Sequence, residues 1–188
     1  MTGDVLDECF RWYHTSATRL ETLQAYAAGG AEAERLQAWK RGQPLPERSV
    51  RTSDYLREVA AAVLAGRERT RIRIVDEPLS EYVRFELAGY AETAACGEDI
   101  RIAVRGGGTP EAQKALAGVA SDAWFFDIGS EDEACVLLSY ERDGSFAGTH
   151  LATAVDHRHM RKLLARAWEH SVPLAEYAAR VRRRTAAA

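Results

Sequence analysis

The sequence predicts a single α/β domain: a mixed sheet with a β-α-β unit and a hairpin meander, and helices at the N- and C-terminal ends. Three observations lead to this prediction. Segments 69–75 and 98–105 alternate charged with aliphatic residues, and a helical pattern lies between them. Three further apolar runs follow, and Asp143-Gly144 between the last two favours a hairpin turn. No repeat or long linker divides residues 1–188, so one domain is expected.

The N-terminal part, about 1–66, is expected to be mainly helical. Helices are predicted over three segments, 4–13, 31–40 and about 54–65. Gly66 ends the third helix, because glycine readily adopts the left-handed conformation that closes a helix. The segment SATRLETLQAY, residues 16–26, fits either a strand or a short helix, and this alternative stays open.

The sheet core is expected over about 67–152 and the C-terminal helices over about 153–184. The segments RTRIRIV and EDIRIAVR alternate with period two and predict two strands, which a helix from Pro78 to about Ala95 connects. Because β-α-β connections usually join parallel strands, these two strands are expected to be parallel. The runs DAWFFDI, EACVLLSYE and SFAGTHLA predict the meander, and GGGTP is expected to be a turn.

Composition excludes several classes of protein. The formal charge of −3 and the pI near 6.0 argue against direct nucleic-acid binding through a strongly basic surface. The three cysteines are scattered and show no ligand spacing, so we expect free thiols in a cytoplasmic protein, with no metal site and no cofactor. No stretch is apolar for the length of a membrane-spanning helix, so no membrane association is expected. The sequence does not predict the oligomeric state.

The signature motifs of common enzyme classes are missing from the sequence. The glycines of 106–108 follow a predicted strand, but they lack the GxGxxG spacing and the lysine of a phosphate-binding loop. Neither GxSxG nor HExxH occurs. The sequence therefore predicts no named reaction.

Charged residues are set among the apolar residues of the β-α-β unit. On the first strand Arg69, Arg71 and Arg73 share one face, and on the second strand Asp99 and Arg101 share one face. Parallel strands are normally covered on both faces. The face that carries the arginines is therefore either open to solvent or covered by an element that supplies carboxylates.

Glu86 lies in the middle of the apolar stripe of the connecting helix. A carboxylate at such a position should be paired, because burying a lone charge is strongly unfavourable. The expected partner is Arg71, Arg73 or Arg101. Arg84 lies on another face of this helix, from which it can point outward.

Three interpretations of this group of charges stay open. In the first, the charges form a structural ion-pair network that fixes the strand register. In the second, they form a pocket whose planar arginine groups bind phosphate or carboxylate. In the third, they form a solvated charged face.

Several segments resemble an uncharacterised actinobacterial family of domains of unknown function. They are SATRLETLQAY, RIRIVDEPLSEYVRFEL, GEDIR, AWFFD and YERDGSFAG, followed by PLAEY, and together they span about residues 10–177. The resemblance implies recurrent polar positions at Arg19, Glu21, Arg71, Arg73, Tyr82, Arg84, Glu86, Glu98, Asp99, Arg101 and Asp127. It also implies a regulatory or signalling context, since genes of this family often lie beside helix-turn-helix regulators. The sequence departs from the family pattern after Tyr90, where it reads AETAAC instead of supplying an asparagine, and at Ala123, where the family prefers phenylalanine.

A more distant similarity relates the chain to one half of a phospholipase-D-like domain. It rests on GRERTRIRIV, on DAWFFDIGSEDEACVLL and on the Asp-Gly hairpin. The enzymes of that class use an HxK motif, which this sequence lacks. If the folds are related, the similarity implies a binding or sensing role.

Two functional hypotheses follow. In the first, the chain is a non-catalytic regulatory module that acts through a protein partner, a helix-turn-helix regulator, and takes a small anionic ligand as its signal. The candidate ligand-binding residues are Arg19, Glu21, Arg71, Arg73, Arg84, Glu98, Asp99 and Arg101. In the second, the chain is an enzyme that acts on a phosphate- or carboxylate-bearing substrate. Arg71, Arg73 and Arg101 would form the clamp that holds this substrate. Glu86 or Asp127 would act as acid/base, and Tyr82 as hydroxyl donor.

Overall fold

A seven-stranded mixed sheet with helices on both faces forms the molecule, and the predicted α/β class is confirmed. The computed structural model describes the backbone of residues 4–186 and the side chains of residues 4–184. The helices are α1 Val5–Trp12, α2 Gly30–Lys40, α3 Asp54–Leu64, α4 Glu81–Ala94, α5 Pro110–Leu116, α6 Ala154–Glu169 and α7 Leu174–Ala186. The strands are β1 Ser16–Glu21, β2 Glu68–Val75, β3 Asp99–Val104, β4 Asp122–Phe126, β5 Ala134–Tyr140, β6 Phe146–Leu151 and β7 Ser171–Pro173.

The strand order is β6-β5-β4-β1-β2-β3-β7. Strands β1, β2 and β3 are parallel, as predicted for β2 and β3, and every other pairing is antiparallel. The first part of the segment 16–26, for which a strand or a short helix was open, forms the strand β1 at the centre of the sheet. The N-terminal part therefore supplies a core strand as well as helices. Helix α5 and strand β7 were not predicted from the sequence.

One face of the sheet is apolar and packs against α5 and α6. Its core includes Leu20, Ile72, Ile74, Phe125 and Met160, each at most 3% exposed. The alternation of β1 and β2 produces this face, because successive strand residues point to opposite sides.

The opposite face, here called the charged face, carries the arginines of β2. Helices α1, α3, α4 and α7 contribute to the two apolar clusters on this face, through Phe10, Ala62, Val83 and Tyr177 respectively. Between these clusters the strands present charged side chains instead of apolar ones. The functional question concerns this region.

The parallel register places the arginine-bearing faces of β2 and β3 on opposite sides of the sheet. Arg71 pairs with Ile100 and Arg73 with Ile102, so the aliphatic residues of β3 lie beside the arginines of β2. Arg101 consequently points to the other side of the sheet. No helix within residues 4–186 combines the length and the apolarity that crossing a membrane requires.

Candidate functional site

A group of buried ions, here called the charge cluster, covers the middle of the charged face. All of its side chains are almost entirely shielded from solvent, and that of Arg73 is fully buried. The cluster consists of Arg19, Arg69, Arg71 and Arg73 with Glu21, Glu86, Glu98 and Asp122.

The strand and helix periodicities bring these ions together. Arg19 and Glu21 alternate with apolar residues on β1, and the arginines of β2 lie beside them through the parallel register, in which Arg19 pairs with Arg71. Asp122 begins β4, and Glu98 immediately precedes β3. Glu86 reaches the cluster from the buried side of α4, whose N-cap is Ser80.

Glu21 accepts more ionic contacts than any other carboxylate of the cluster. Its Oε1 accepts hydrogen bonds from Arg71 Nη1 and, at 3.4 Å, from Arg19 Nε. The Tyr90 hydroxyl donates to its Oε2 at 2.5 Å. Burial alone would raise the pKa of Glu21, but Arg71, Arg19 and Arg73 outweigh burial and lower the pKa to about 2. Glu21 is therefore a carboxylate at neutral pH.

The negative charge of Glu86 is compensated by fewer arginines than that of Glu21. Its Oε2 accepts a hydrogen bond from Arg73 Nη2 at 2.6 Å, and the Tyr90 hydroxyl lies 3.3 Å from its Oε1. Burial raises the pKa of Glu86, and the negative charge of Glu21 raises it further. Arg73 lowers this pKa but offsets the two effects only in part, so the pKa of Glu86 is about 7. Glu86 can therefore gain or lose a proton near neutral pH.

The outer members of the cluster are fixed by further bonds. Arg71 donates from Nε to Glu98 at 3.3 Å and from Nη2 to the Tyr55 hydroxyl. Arg19 Nη2 donates to Asp122 at 3.0 Å, and the Asp122 carboxylate also accepts from the Tyr26 hydroxyl at 2.5 Å.

Five buried side-chain nitrogens in the described part of the chain have no hydrogen-bond partner. They are Arg19 Nη1, Arg67 Nε, Arg69 Nε, Arg73 Nε and Arg73 Nη1. Aromatic rings lie beside all four guanidinium groups, since Arg19 lies 5.6 Å from the centre of the Trp124 ring and Arg67, Arg69 and Arg73 lie over Tyr or Phe rings at 4.5–5.3 Å. All five are guanidinium donors, so the region has more buried donors than acceptors.

A cavity of about 710 Å³ opens above the charge cluster. Arg19, Glu21 and Arg71 form its floor, and Tyr82, Phe85, Glu86 and Tyr90 of α4 form one wall. Further lining comes from Tyr26, Tyr55, Tyr140, Phe146, α2 and parts of the segment Pro46–Asp54. Buried charges beside a concave aromatic-lined space are the arrangement expected of a small-molecule site.

The roof of the cavity, formed by α2 and the segment 41–53, is tied to α4 by the buried Arg35 and the partly exposed Arg48. Arg35 donates to Glu92 at 2.6 Å and to the Pro46 carbonyl. Arg48 donates to the Gly89 carbonyl at 3.2 Å and to Glu92 at 3.4 Å. Glu92 therefore binds both parts of the roof, α2 through Arg35 and the segment 41–53 through Arg48.

The structure brings together most but not all of the residues predicted for the site. Five of them line the cavity: Arg19, Glu21, Arg71, Tyr82 and Glu86. Arg73 and Glu98 belong to the charge cluster but not to the cavity lining. Arg84 and Asp99 are exposed, and neither lines the cavity.

Arg101 is not a partner of Glu86, because it lies on the other face of the sheet. Its Nε donates to Ser171 Oγ at 2.9 Å, and its guanidinium carbon lies 4.4 Å from the centre of the Trp168 ring. The predicted clamp of Arg71, Arg73 and Arg101 therefore does not form around one space.

Asp127 lies at the opposite end of β1 and serves the backbone. Its carboxylate accepts hydrogen bonds from the backbone nitrogens of His14, Thr15 and Ser16, at 2.6–3.1 Å, and from the Thr15 hydroxyl. A φ of 49° places Asp127 in the left-handed region. It does not line the cavity, so it cannot act there as an acid/base.

Several residues of the site were not predicted from the sequence. Asp122, Tyr26, Tyr55 and Tyr140 are not among the candidate residues that the sequence predicts. A signal was available for Tyr90, which lies four residues after Glu86 and therefore one helical turn along the same buried stripe. Nothing in the sequence indicates that Arg35 and Arg48 meet Glu92.

No three His, Cys, Asp or Glu side chains within the described residues are grouped so that they could hold a metal ion. No protein of curated function and no solved structure matches the chain significantly. The family described as a domain of unknown function, DUF6879, matches residues 4–179. Since this match covers nearly all of the chain, the chain belongs to the DUF6879 family.

Proposed function

We propose that this chain is a non-catalytic regulatory module that binds a small anionic ligand in the cavity above the charge cluster. One observation carries the proposal. Arg19 lines the cavity floor, and its buried Nη1 has no hydrogen-bond partner. A buried donor without an acceptor is unfavourable. A small rotation of the Arg19 guanidinium towards the cavity would let a carboxylate or phosphate oxygen there accept from it.

The numbers of positive and negative charges in the charge cluster favour binding of an anion over binding of a cation. Four buried arginines face four carboxylates, and the carboxylate of Glu86 gains a proton as the pH falls through about 7. With Glu86 protonated, the cluster carries one positive charge more than negative. An incoming anion would compensate that charge in a site that solvent screens only weakly.

The experiment compares two arginines on opposite faces of the sheet. Arg19→Lys keeps the charge but removes the planar fork, and Arg101→Lys makes the same change away from the cavity. A panel of small carboxylates and phosphates is screened by thermal denaturation of wild type and both variants. We expect at least one anion to raise the melting temperature of wild type and Arg101→Lys, and to lose this effect in Arg19→Lys.

The control is the cooperative unfolding of Arg19→Lys without ligand, which shows that the variant is folded. An anion that stabilises Arg19→Lys as much as wild type would place binding elsewhere and contradict the proposal. Failure of every anion to stabilise wild type would contradict it as well.

The regulatory part of the proposal includes a protein partner, a helix-turn-helix regulator. Its support is the resemblance of the sequence to domains encoded beside such regulators. Size-exclusion chromatography of this chain, mixed with a helix-turn-helix protein encoded beside it, tests this part. Co-elution that depends on the stabilising anion is the expected result, and separate elution with and without that anion would contradict it.

A second candidate function is an enzyme, and the position of Glu86 favours it. A carboxylate that lines a cavity and has a pKa of about 7 suits general acid/base catalysis. Burial raises the pKa of the adjacent Tyr82, so its hydroxyl stays protonated and can donate a hydrogen bond.

The enzyme hypothesis is tested with the anion that stabilises the protein. Wild type and Glu86→Gln are incubated with that anion, and the solution is followed by mass spectrometry. Conversion by wild type, lost in a Glu86→Gln variant that still binds the anion, would establish catalysis. An unchanged anion after prolonged incubation with wild type would favour the binding module.

A further inference from the structure

A chain of aromatic rings, here called the aromatic wall, lines the cavity from α4 to the β5–β6 hairpin. Its members are Tyr26, Tyr82, Phe85, Tyr140 and Phe146. Neighbouring ring centres lie 5.1–6.1 Å apart, which is the range of favourable aromatic contacts. The wall is continuous, so one extended ligand can contact several of its rings at once.

Exposure along the wall increases from the interior towards the solvent. Phe85 is 5% and Tyr82 8% exposed, whereas Phe146 is 54% exposed. An exposed phenylalanine beside a cavity gains contacts only when an apolar group covers it. Phe146 is therefore the outer contact of the wall.

The size of the cavity argues against an inorganic anion as the natural occupant. At about 710 Å³ it falls within the range of cavities that hold whole organic ligands. A phosphate or acetate ion at the floor would leave the aromatic wall in contact with water.

The charges around the cavity limit the charge of the ligand. Its lining contains four arginines, Arg19, Arg35, Arg48 and Arg71, but six carboxylates, Glu21, Glu32, Glu34, Glu47, Asp54 and Glu86. Four of these carboxylates belong to exposed residues of α2 and of the 47–54 segment. A ligand with a second negative charge, or one that points its charge outward, would meet them. This distribution of charges suits a ligand with a single negative charge, placed at the floor of the cavity.

From these observations we infer that the ligand is a planar organic monoanion, a carboxylate joined to an aromatic body. Its carboxylate accepts from Arg19 at the floor, and its ring system lies along the aromatic wall towards Phe146. This inference rests on the proposed anion-binding function and narrows it to one class of ligand.

The test uses four matched probes in isothermal titration calorimetry at neutral pH. They are 2-naphthoate, the neutral 2-naphthamide, the dianion 2-naphthyl phosphate, and acetate, which lacks the rings. We expect 2-naphthoate to bind at least about tenfold more tightly than each of the others, because it alone combines one charge with an aromatic body.

The outcomes separate this inference from the function on which it rests. Acetate or 2-naphthyl phosphate binding as tightly as 2-naphthoate would overturn the ligand class but leave anion binding intact. Equal binding of 2-naphthamide, or no binding by any of the four probes, would likewise overturn the ligand class. The anion-binding function itself is overturned only when no anion of the thermal-denaturation panel stabilises wild type.

A pair of variants tests the aromatic wall itself. Phe146→Ala removes an exposed ring, so little stability is lost, and Trp12→Ala removes an exposed ring that does not line the cavity. We expect Phe146→Ala to weaken 2-naphthoate by about threefold to tenfold and to leave acetate unchanged. Trp12→Ala should alter neither. An unchanged affinity of Phe146→Ala for 2-naphthoate would remove the wall from the site.

Discussion

At the scale of single residues, two buried carboxylates that share one tyrosine hydroxyl behave differently. Tyr90 lies between Glu21 and Glu86, yet the pKa of Glu21 is lowered and that of Glu86 is raised. Glu21 has two arginines in direct contact, whereas Glu86 has one. The number of cations in contact therefore decides which carboxylate stays ionised when both are buried.

Replacing Glu86 by glutamine is expected to remove part of the pH dependence of stability. The folded pKa of Glu86 lies above the usual value of 4.5, so the folded state binds the proton more tightly than the unfolded state. Stability from Glu86 is thus present at low pH and is lost as the pH rises through about 7. Urea denaturation between about pH 5 and pH 8 should show wild type losing up to about 1.4 kcal/mol per pH unit relative to Glu86→Gln.

An identical pH dependence in wild type and Glu86→Gln would contradict this prediction. It would mean that Glu86 keeps its charge in the folded protein throughout this range.

The sequence predicted the partner of Glu86 only as one of three arginines. Arg73 is the partner, and the prediction of Arg101 is wrong. In the observed register Ile102 lies beside Arg73, so Arg101 points to the opposite face of the sheet. Alternation shows that each strand has two faces, but it does not show which face of one strand lies beside which face of the next. That choice depends on the long-range register of the strands.

At the scale of elements, the clarity of the alternation decided which strands were predictable. In β2 and β3 charged and aliphatic residues alternate regularly, so both were predicted. In β1 the charged face is itself buried, and Thr18 on the other face is polar, so a strand could not be distinguished from a helix. Helix α5 has seven residues, too few for a clear helical period, and follows a run of glycines.

The junction of β1 and β4 is expected to depend on Asp127. Asp127→Ala removes the acceptor of three backbone N–H groups and one hydroxyl, and should lower the free energy of unfolding by about 2–4 kcal/mol. Ligand affinity should not change, because Asp127 lies outside the cavity. Urea denaturation and titration of the stabilising anion measure the two effects.

Asp127→Gly is the matched control, since glycine accepts the φ of 49° without strain. If the hydrogen bonds matter most, Asp127→Gly loses nearly as much stability as Asp127→Ala. Full stability of Asp127→Gly would show instead that backbone strain was the cause.

The roof over the cavity is expected to loosen when Glu92 is removed. Glu92→Ala leaves the buried Arg35 without its carboxylate, whereas Glu81→Ala removes an exposed α2–α4 ion pair with Lys40. Exposed pairs contribute little to stability. Hydrogen exchange followed by mass spectrometry should show faster exchange of α2 and the 41–53 segment in Glu92→Ala and little change in Glu81→Ala. Equal exchange in both variants would mean that Glu92 does not hold the roof.

At the scale of the whole molecule, the opposite shifts of Glu21 and Glu86 predict a stability maximum in mild acid. The lowered pKa of Glu21 provides stability above pH 4.5 that is lost as the pH falls towards about 2. Glu86 provides stability that is lost as the pH rises through about 7. Thermal denaturation followed by circular dichroism should therefore give the highest melting temperature near about pH 5. A melting temperature that keeps rising to pH 8 would contradict this.

The central position of β1 has a consequence for protein synthesis. This strand leaves the ribosome before both of its neighbours in the sheet, β2, which begins at Glu68, and β4, which begins at Asp122. Arg19 cannot meet Asp122 until the ribosome has added the residue 103 positions further along the chain. A nascent chain that ends before β4 therefore has no complete sheet on which to fold, and its first charged strand stays hydrated and available to chaperones.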